Sequence, residues 1–256
     1  MTMKLKVSTC ILFILAVSIS ASIAQNPRED YTAGIQYYSE GSFDQALTAW
    51  LALVDSGYSS PELYHNIGNA AFKTGKIPLS ILYYEKSLLK HPFNEDVRYN
   101  LEIARSYVVD RFNTIPELFI LRWFRMVSLL FSSNSWAVIS LISFTVALVL
   151  LLAYLFSISG TIKRISFIIA AMAFLVSIAS ISFSFGNRSV TVRNRDAIIF
   201  APVVTGKSSP DASGKDLFVI HEGTKVKVED EVGGWYEIRL TDGNVGWIPS
   251  DYAEKI

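Results

Sequence analysis

Residues 136–185 decide how this chain is organised. They read WAVISLISFTVALVLLLAYLF over 136–156, SISGTIKR over 157–164 and ISFIIAAMAFLVSIASISFSF over 165–185. Both outer segments are 21 residues long and contain no charged residue. As helices they would each extend about 30 Å, which is the thickness of the hydrocarbon core of a bilayer. The eight residues between them are enough to reverse the chain and too few for a domain, so we predict a transmembrane hairpin.

One face of the second predicted span carries only small side chains. Residues on this face recur at alternating spacings of three and four: Ser166, Ala170, Ala173, Ser177, Ser180 and Ser184. Such a face allows another helix to approach closely in lipid. That helix is either the first span, through Ser140, Ser143 and Ala147, or a helix of a partner protein. Neither span contains Asp, Glu, Lys, Arg or His, which argues against an ion or proton pathway.

Residues 1–24 are typical of a secretory signal peptide. Lys4 and Lys6 form the charged start, residues 7–19 are the apolar middle, and the small residues 22–24 suit a cleavage site. The alternative is an uncleaved anchor helix, and both interpretations place residue 25 onward outside the cytoplasm. Counting crossings then puts the 157–164 loop in the cytoplasm and the C-terminus outside. The loop ends in Lys163 and Arg164, which supports this topology by the positive-inside rule, although five arginines near the spans lie on the predicted outer side.

Residues 27–60 and 61–94 align with each other at a period of 34. Gly34 matches Gly68, and Trp50 matches Tyr84. The pattern in each unit predicts two amphipathic helices, with small residues at the positions where the two helices approach each other. The pattern resembles the tetratricopeptide repeat, an all-α helix-turn-helix unit. We therefore predict a repeat domain over 25–112, closed by a capping helix over 95–112.

The resemblance to tetratricopeptide repeats implies a concave groove lined by the first helix of each repeat. Carried over position by position, its residues would be Tyr31, Ile35, Tyr38, His65, Asn69, Phe72 and Lys73. The amide of Asn69 offers a donor and an acceptor to a peptide backbone, and Lys73 offers a charge to a carboxylate. The alternative is a solvated helix face that binds nothing in particular.

Residues 113–135 predict a helix of a different kind. Thr114 and Pro116 favour a helix start, and the following residues are rich in Leu, Phe, Trp and Met. With Arg122 and Arg125 the segment is too short and too polar to span a bilayer. We predict a helix lying in the membrane interface, and the alternative is a continuation of the core of the repeat domain.

Residues 187–256 predict a small all-β domain. Short apolar or alternating runs are separated by turn residues and lie at Ala197–Phe200, Leu217–Ile220, Lys225–Val228, Trp235–Leu240 and Val245–Ile248. Five short strands in this length predict a barrel. Residues 217–256 resemble a bacterial SH3-like domain. The resemblance implies a peptide-binding shelf at Trp235, Pro249 and Tyr252, and the alternative is that Trp235 is only a core or rim aromatic residue.

The residue types and motifs of the chain favour a binding function over catalysis. The three histidines, His65, His91 and His221, lie in separate predicted elements and do not match metal-ligand spacing. The sequence has no G-x-S-x-G nucleophile motif and a single cysteine, Cys10. Residues 25–125 hold 10 Lys/Arg against 12 Asp/Glu, and residues 187–256 hold 9 against 11, which argues against nucleic-acid binding. We predict no catalytic site, no cofactor and no metal.

The order of these parts resembles the BatE-type proteins encoded in aerotolerance operons of Bacteroidetes. Two stretches carry the resemblance besides the order: residues 100–105 with Asp110-Arg111, and Phe218-x-x-His221-Glu222-Gly223-Thr224-Lys225-Val226. It implies a bacterial inner-membrane protein with both soluble domains in the periplasm. It also implies membrane-anchored von Willebrand factor A-type proteins and a MoxR-type ATPase as partners.

Three hypotheses about function follow from the sequence. The first is a non-enzymatic envelope scaffold that binds protein partners, in a process such as stress tolerance. The second is an envelope sensor whose SH3-like domain binds peptidoglycan. The third is an enzyme, which the absence of a catalytic motif disfavours.

Overall fold

The computed structural model describes residues 27–112, 118–191 and 195–256. The predicted signal peptide at 1–24, the first residues of the predicted interfacial segment at 113–117 and residues 192–194 lie outside these ranges. The described residues form an N-terminal helical region of paired helices, two long apolar helices and a C-terminal antiparallel β sheet. These three parts confirm the coarse architecture predicted from the sequence.

The helical region contains five helices within residues 27–106. They are α1 (Pro27–Ser39), α2 (Phe43–Asp55), α3 (Pro61–Lys73), α4 (Ile77–Lys90) and α5 (Glu95–Ser106). Side-chain caps begin two of them: Ser60 Oγ accepts a hydrogen bond from the amide of Leu63, and Asn94 Oδ1 accepts one from the amide of Val97. Helix α1 packs on α2, and α3 packs on α4, so the helices form two antiparallel pairs followed by α5.

A glycine meets an aromatic ring at the same place in both pairs. Gly34 on α1 lies against Trp50 on α2, and Gly68 on α3 lies against Tyr84 on α4. A Cβ atom on Gly68 would lie 2.5 Å from the ring of Tyr84, closer than packed atoms allow. The two 34-residue units therefore have equivalent helix contacts, and each close approach requires a residue without a side chain.

The predicted capping helix over 95–112 is shorter in the structure. Helix α5 ends at Ser106, and residues 107–112 continue without regular helical structure. Asp110 in this segment bonds to the β domain, which is described below. The segment leaves the helix because its polar groups bind a distant part of the chain, a contact that local sequence does not encode.

The next three helices are α6 (Phe119–Ser128), α7 (Ser133–Phe156) and α8 (Gly160–Thr191). Both α7 and α8 are long and apolar enough to cross a membrane. The prediction of a loop over 157–164 is wrong, because α8 begins at Gly160 and includes Lys163 and Arg164. Both helices also extend beyond the predicted spans. Apolar composition marks the part of a helix suited to lipid, whereas backbone hydrogen bonding continues into the polar residues on either side.

The small-residue face of α8 packs against α7. Ser140 and Ser177 exchange hydrogen bonds, since each hydroxyl donates to the backbone carbonyl of the other residue, at 2.9 and 3.0 Å. Ser133 and Ser184 make the same exchange at 3.1 and 2.8 Å. Of the six predicted residues all but Ala173 are buried, so this face contacts the other helix of the same hairpin.

The β domain is an antiparallel sheet with the strand order β3-β2-β6-β5-β4-β1-β7 in the described residues. Its strands are β1 (Asp196–Ile199), β2 (Val203–Lys207), β3 (Asp216–His221), β4 (Lys225–Val232), β5 (Trp235–Arg239), β6 (Val245–Pro249) and β7 (Ala253–Lys255). The sequence missed β2 and β7. Strand β7 has no apolar alternation and forms because Ala197, Ile198 and Ile199 supply its backbone partners.

The β domain begins later than predicted. Residues 187–191 belong to the end of α8, and the first described residue after it is Arg195. The side-chain amide of Asn187 donates to the carbonyl oxygens of Ser128 and Phe131, at 3.2 and 3.1 Å. Asn187 therefore fixes α8 to the turn between α6 and α7 instead of starting the sheet.

Strand β1 joins the two soluble regions. Ala197 and Ile199 point into the core of the β domain, whereas Ile198 between them is fully buried in the core of the helical region. Phe200 and Ile256 also pack against that helical core. The helical region and the β domain, which the sequence presented as separate modules, thus share one continuous buried surface.

Candidate functional site

A cavity of about 330 Å³ opens on the first helices of the two pairs and on α5. It is lined by Tyr38, Asn69, Phe72, Lys73, Tyr84, Asn100 and Ile103. Helices α1, α3, α4 and α5 each contribute at least one of these side chains. The cavity therefore depends on the stacking of the pairs and is not a feature of any one helix.

Asn69 lies at the centre of a hydrogen-bond network within this cavity. Its Oδ1 atom accepts hydrogen bonds from the hydroxyl of Tyr84 at 2.7 Å and from Nδ2 of Asn100 at 3.0 Å. Nδ2 of Asn100 also lies 3.3 Å from Nε2 of His65. We call these four residues the groove cluster. The acceptor of Asn69 is therefore already used, and its amide donor is the group it presents to a ligand.

The groove cluster is electrically neutral. Burial raises the pKa of the Tyr84 hydroxyl to about 12, so this group is a proton donor at neutral pH. Burial also lowers the pKa of His65, which opposes a charge on the imidazole, although Asp96 acts in the other direction. Lys73 provides a positive charge at the rim of the cavity. It is exposed, with its Nζ atom 6.0 Å from the ring centroid of Phe43.

The structure brings together some of the seven predicted groove residues and not others. Tyr38, Asn69, Phe72 and Lys73 line the cavity, and His65 contacts it through Asn100. Ile35 is exposed on α1 outside the cavity lining.

Tyr31 has a structural partner instead. Its hydroxyl accepts a hydrogen bond from Nδ2 of Asn66 at 3.0 Å, and its backbone carbonyl accepts one from Nε1 of Trp50 at 3.2 Å. These bonds tie α1 to both α2 and α3. Tyr31 therefore helps to pack the first pair, and its predicted role in binding a ligand stays a prediction.

Three lining residues lie outside the predicted groove set: Tyr84, Asn100 and Ile103. Tyr84 was recognised as a repeat position and not as a groove residue. Asn100 and Ile103 lie on α5, at the three-residue spacing that places side chains on one helix face. If α5 is taken as part of the groove, this three-residue spacing identifies both residues from the sequence.

A second polar cluster lies on another face of α4, where the β domain docks. Glu85, which is 8% exposed, contacts Nη2 of Arg105 and accepts a hydrogen bond from Nζ of Lys225 at 3.0 Å. Lys225 Nζ also lies 2.8 Å from Oδ2 of Asp196. Burial alone would lower the pKa of Lys225, but the two carboxylates hold it above its ordinary value.

Asp110 completes this second cluster. Its Oδ2 atom accepts hydrogen bonds from the backbone amide of His221 and from Oγ1 of Thr224, both at 2.6 Å, and its Oδ1 atom lies 2.8 Å from Nδ1 of His221. Burial alone would raise the pKa of Asp110, but these bonds hold it below its ordinary value. We call Glu85, Lys225, Asp196, Arg105, Asp110, His221 and Thr224 the junction cluster.

The predicted shelf of the β domain is partly assembled. Trp235 on β5 pairs directly across the sheet with Pro249 on β6, and both are half-buried. Tyr252 follows in a single 3₁₀ turn (Ser250–Tyr252) and is exposed. In the described parts of the chain, no group of three or more His, Cys, Asp or Glu residues is placed to hold a metal ion.

Comparison with known families identifies one part of the chain. The family described as Bacterial SH3 domain matches residues 207–254. The match runs from the end of β2 into β7 and leaves out β1, the strand that docks on the helices. No curated protein matches the chain. The chain thus carries a bacterial SH3 domain at its C-terminus, which suggests a binding role in the cell envelope.

Proposed function

We propose that this protein is a non-enzymatic, membrane-anchored scaffold whose helical groove binds a segment of a partner protein. The observation that carries the proposal is the cavity at Asn69, where a spare amide donor and the ammonium of Lys73 lie beside apolar side chains. Its volume is at the lower end of the range for ligand sites, about 300–1,000 Å³, which suits one or two side chains of an extended peptide.

The chemistry of the cavity defines the segment it would bind. Tyr38, Phe72 and Ile103 provide an apolar wall, and the hydrogen-bond donors are Nδ2 of Asn69 and Nζ of Lys73. These groups complement a carboxylate next to an apolar side chain, either an Asp or Glu side chain or a C-terminal carboxylate. The proposed ligand is therefore an acidic-apolar peptide segment.

The proposal treats the helical region as tetratricopeptide repeats. The 34-residue period supports this, and so do the equivalent contacts of Gly34 with Trp50 and of Gly68 with Tyr84. Two repeats bury less surface than the three that such arrays normally need. Helix α5 and the docked β domain supply the missing contacts, since Ile198 lies in the core of the helical region.

The hairpin is proposed to anchor both soluble regions on one side of a membrane. The helical region and the β domain touch each other, so they lie on the same side if α7 and α8 cross a bilayer. Lys163 and Arg164 lie at the other end of the hairpin, as expected for a cytoplasmic turn. Together with the resemblance to BatE-type proteins, this supports the bacterial inner membrane with both soluble regions in the periplasm.

Helix α6 fits the proposed interfacial position. Its most exposed apolar side chains are Phe119, Ile120, Leu121 and Met126, each more than half exposed. The other face packs on α8 through Phe124, whose ring lies 5.1 Å from that of Phe183. A bilayer interface would bury the exposed apolar face while α8 fixes the depth of the helix.

The resemblance supplies the partner class for this proposal. BatE-type proteins are expected to work with membrane-anchored von Willebrand factor A-type proteins encoded in the same operon, in aerotolerance. A membrane-anchored partner would present its segment at the same surface, which favours binding at low intrinsic affinity because both proteins are confined there.

Capture of partners by the full chain tests the proposal. The wild type, K73E and N69A would each be isolated from membranes of the source cells with crosslinked partners. We expect both variants to lose a von Willebrand factor A-type protein that the wild type retains. The control is K215E, which makes the same charge change on an exposed residue of the β domain. Equal retention by K73E, N69A and the control would refute groove binding.

The second candidate function is peptidoglycan binding by the SH3 domain. The paired Trp235 and Pro249 beside the exposed Tyr252 favour it, because such side chains provide a flat stacking surface. Co-sedimentation of the full chain with murein tests it. Loss of sedimentation in W235A, with K73E unaffected, would make the β domain the binding module. Hydrolysis of peptide or murein by the full chain would refute the non-enzymatic assignment.

A further inference from the structure

A cleft lies where the helical region meets the hairpin. It encloses about 580 Å³ and is lined by residues 89–93 on one side and by residues 129–134, Asn187 and Arg188 on the other. The first group ends α4 and leads into α5, and the second group surrounds the start of α7 and the end of α8. We call this space the interfacial cleft. It is separate from the groove cluster and the junction cluster.

The interfacial cleft is positively charged. Lys90, His91 and Arg188 line it, and none of its lining residues is Asp or Glu. Lys90 and Arg188 are both exposed, and among the described residues neither forms an ion pair. The Nζ atom of Lys90 instead lies 5.9 Å from the ring centroid of Tyr64. The cleft thus presents two uncompensated cations and lacks an anion to balance them.

Aromatic side chains mark this end of the hairpin as a membrane boundary. The ring of Trp136 packs 5.1 Å from Phe131 and 5.0 Å from Phe183, measured between centroids. Trp and Tyr are enriched where a spanning helix meets the headgroup region, and Trp136 lies in that position. The apolar run of α8 ends at Phe185, and Arg188 follows one turn later. If α7 and α8 span the bilayer, the cleft therefore lies at the depth of the lipid phosphates.

The cleft is also open toward the apolar side of the hairpin. Leu130 and Phe131 line it and remain 58% and 50% exposed. They continue the exposed apolar surface of α6, so an acyl chain has an apolar path leading away from the charged part. Polar donors at one end and apolar side chains at the other match the two ends of a phospholipid.

We propose that the interfacial cleft binds the headgroup of an anionic phospholipid, with its phosphodiester held by Lys90 and Arg188 and its acyl chains along Leu130 and Phe131. The inference rests on the proposed membrane insertion of the hairpin. The absence of acidic lining residues disfavours a zwitterionic headgroup, because no carboxylate in the cleft lining would pair with its ammonium. A bound lipid would also fix the helical region relative to the hairpin, since Lys90 belongs to one and Arg188 to the other.

Lipid retention by the full chain tests this inference. The wild type in detergent micelles would be titrated with phosphatidylglycerol or phosphatidylcholine, and bound lipid counted by native mass spectrometry. We expect saturable binding of one phosphatidylglycerol and weaker binding of phosphatidylcholine. The double variant K90Q/R188Q should bind phosphatidylglycerol about 25-fold more weakly, because each basic residue near anionic lipid contributes about fivefold. The control K163Q/R164Q makes the same charge change at the opposite end of the hairpin and should bind as the wild type does.

The outcomes separate this inference from the proposed function. The same proteins would be reconstituted into vesicles, and insertion scored by protection of the hairpin from protease. Failure of the wild type to insert would refute both proposals. Insertion together with equal phosphatidylglycerol binding by K90Q/R188Q and K163Q/R164Q would refute the lipid site alone. Displacement of the lipid by glycerol phosphate at equal concentration would also refute it, because the cleft would then recognise a small anion without the acyl chains.

Discussion

Two adjacent residues on α4 belong to clusters with opposite properties. Tyr84 points into the groove cluster, where it donates to Asn69, and Glu85 points into the junction cluster, where it binds Lys225. The groove cluster is neutral and keeps a spare donor at the wall of an open cavity. The junction cluster is charged, and its ions are paired within the chain. The comparison shows that the same helix has one face bound to the β domain and one face available to another molecule.

Removing Glu85 should have the largest effect on this comparison. E85A removes the carboxylate that binds both Arg105 and Lys225 and leaves Lys225 with Asp196 alone, and the loss of two charge-assisted hydrogen bonds costs about 3 kcal/mol. We expect a loss of that size in the free energy of unfolding and faster amide hydrogen exchange in β1. Both would be measured on the full chain in detergent. E102A on the exposed face of α5 is the control. Unchanged exchange in β1 would mean that apolar contacts alone hold the junction.

A methyl group at Gly68 should disturb the other face of α4. The Cβ atom in G68A would lie 2.5 Å from the ring of Tyr84, and overpacking of this kind costs about 1–3 kcal/mol. Because Tyr84 must move, its bond to Asn69 should also be lost, and partner capture should fall. G160A is the control, since its Cβ atom meets no neighbour. A stable G68A variant with normal capture would argue against a rigid groove cluster.

The junction should weaken in acid through Asp110. Because its pKa is lower in the folded protein than the unfolded value of about 3.9, its contribution is complete above that value and is lost as the pH falls through the folded pKa. D110N should therefore make the free energy of unfolding less dependent on pH in acid. At neutral pH it should lower that free energy by about 1.5 kcal/mol. The measurement is the free energy of unfolding as a function of pH. Parallel pH curves for D110N and the wild type would exclude this role.

Lys73 should have the smallest effect on stability. It is exposed at the rim of the groove, so K73Q should change the free energy of unfolding by less than about 0.5 kcal/mol. The same change should weaken binding of an acidic-apolar peptide about tenfold, because a charge-assisted hydrogen bond is lost. Peptide titration monitored by fluorescence anisotropy measures this. If K73Q changed the free energy of unfolding and left peptide binding unchanged, Lys73 would stabilise the fold and would not bind the peptide.

The candidate site was only partly visible in the sequence. Asn69, Phe72 and Lys73 follow from one helix face of one repeat, since side chains three and four residues apart lie together. Asn100 and Ile103 were missed because they come from the helix after the repeats. The sequence also does not show that Oδ1 of Asn69 is already hydrogen-bonded, because this depends on Tyr84 and Asn100 both reaching that atom in the folded chain.

The junction shows the limit of sequence reasoning more sharply. The two stretches that carry the family resemblance meet here, as Asp110 binds His221 and Thr224. Neither stretch has a local pattern that would bring these residues together. A signal was present in β1, where Ala197-Ile198-Ile199-Phe200 is a continuous apolar run, the pattern of a strand buried on both faces.

The sequence by itself determined the paired helices, the two long apolar helices and the SH3 strands between glycine turns. These features are periodic or local, so each segment shows them without its neighbours. Only the tertiary structure decided where α8 begins, which side of Ile198 is covered and which charges meet at the junction. Glu85 and Lys225 are 140 residues apart, and neither has a local pattern that identifies the other. Pairing over that distance is set by the packing of whole elements, which placed the groove cluster on the open face of α4 and the junction cluster beneath the β domain.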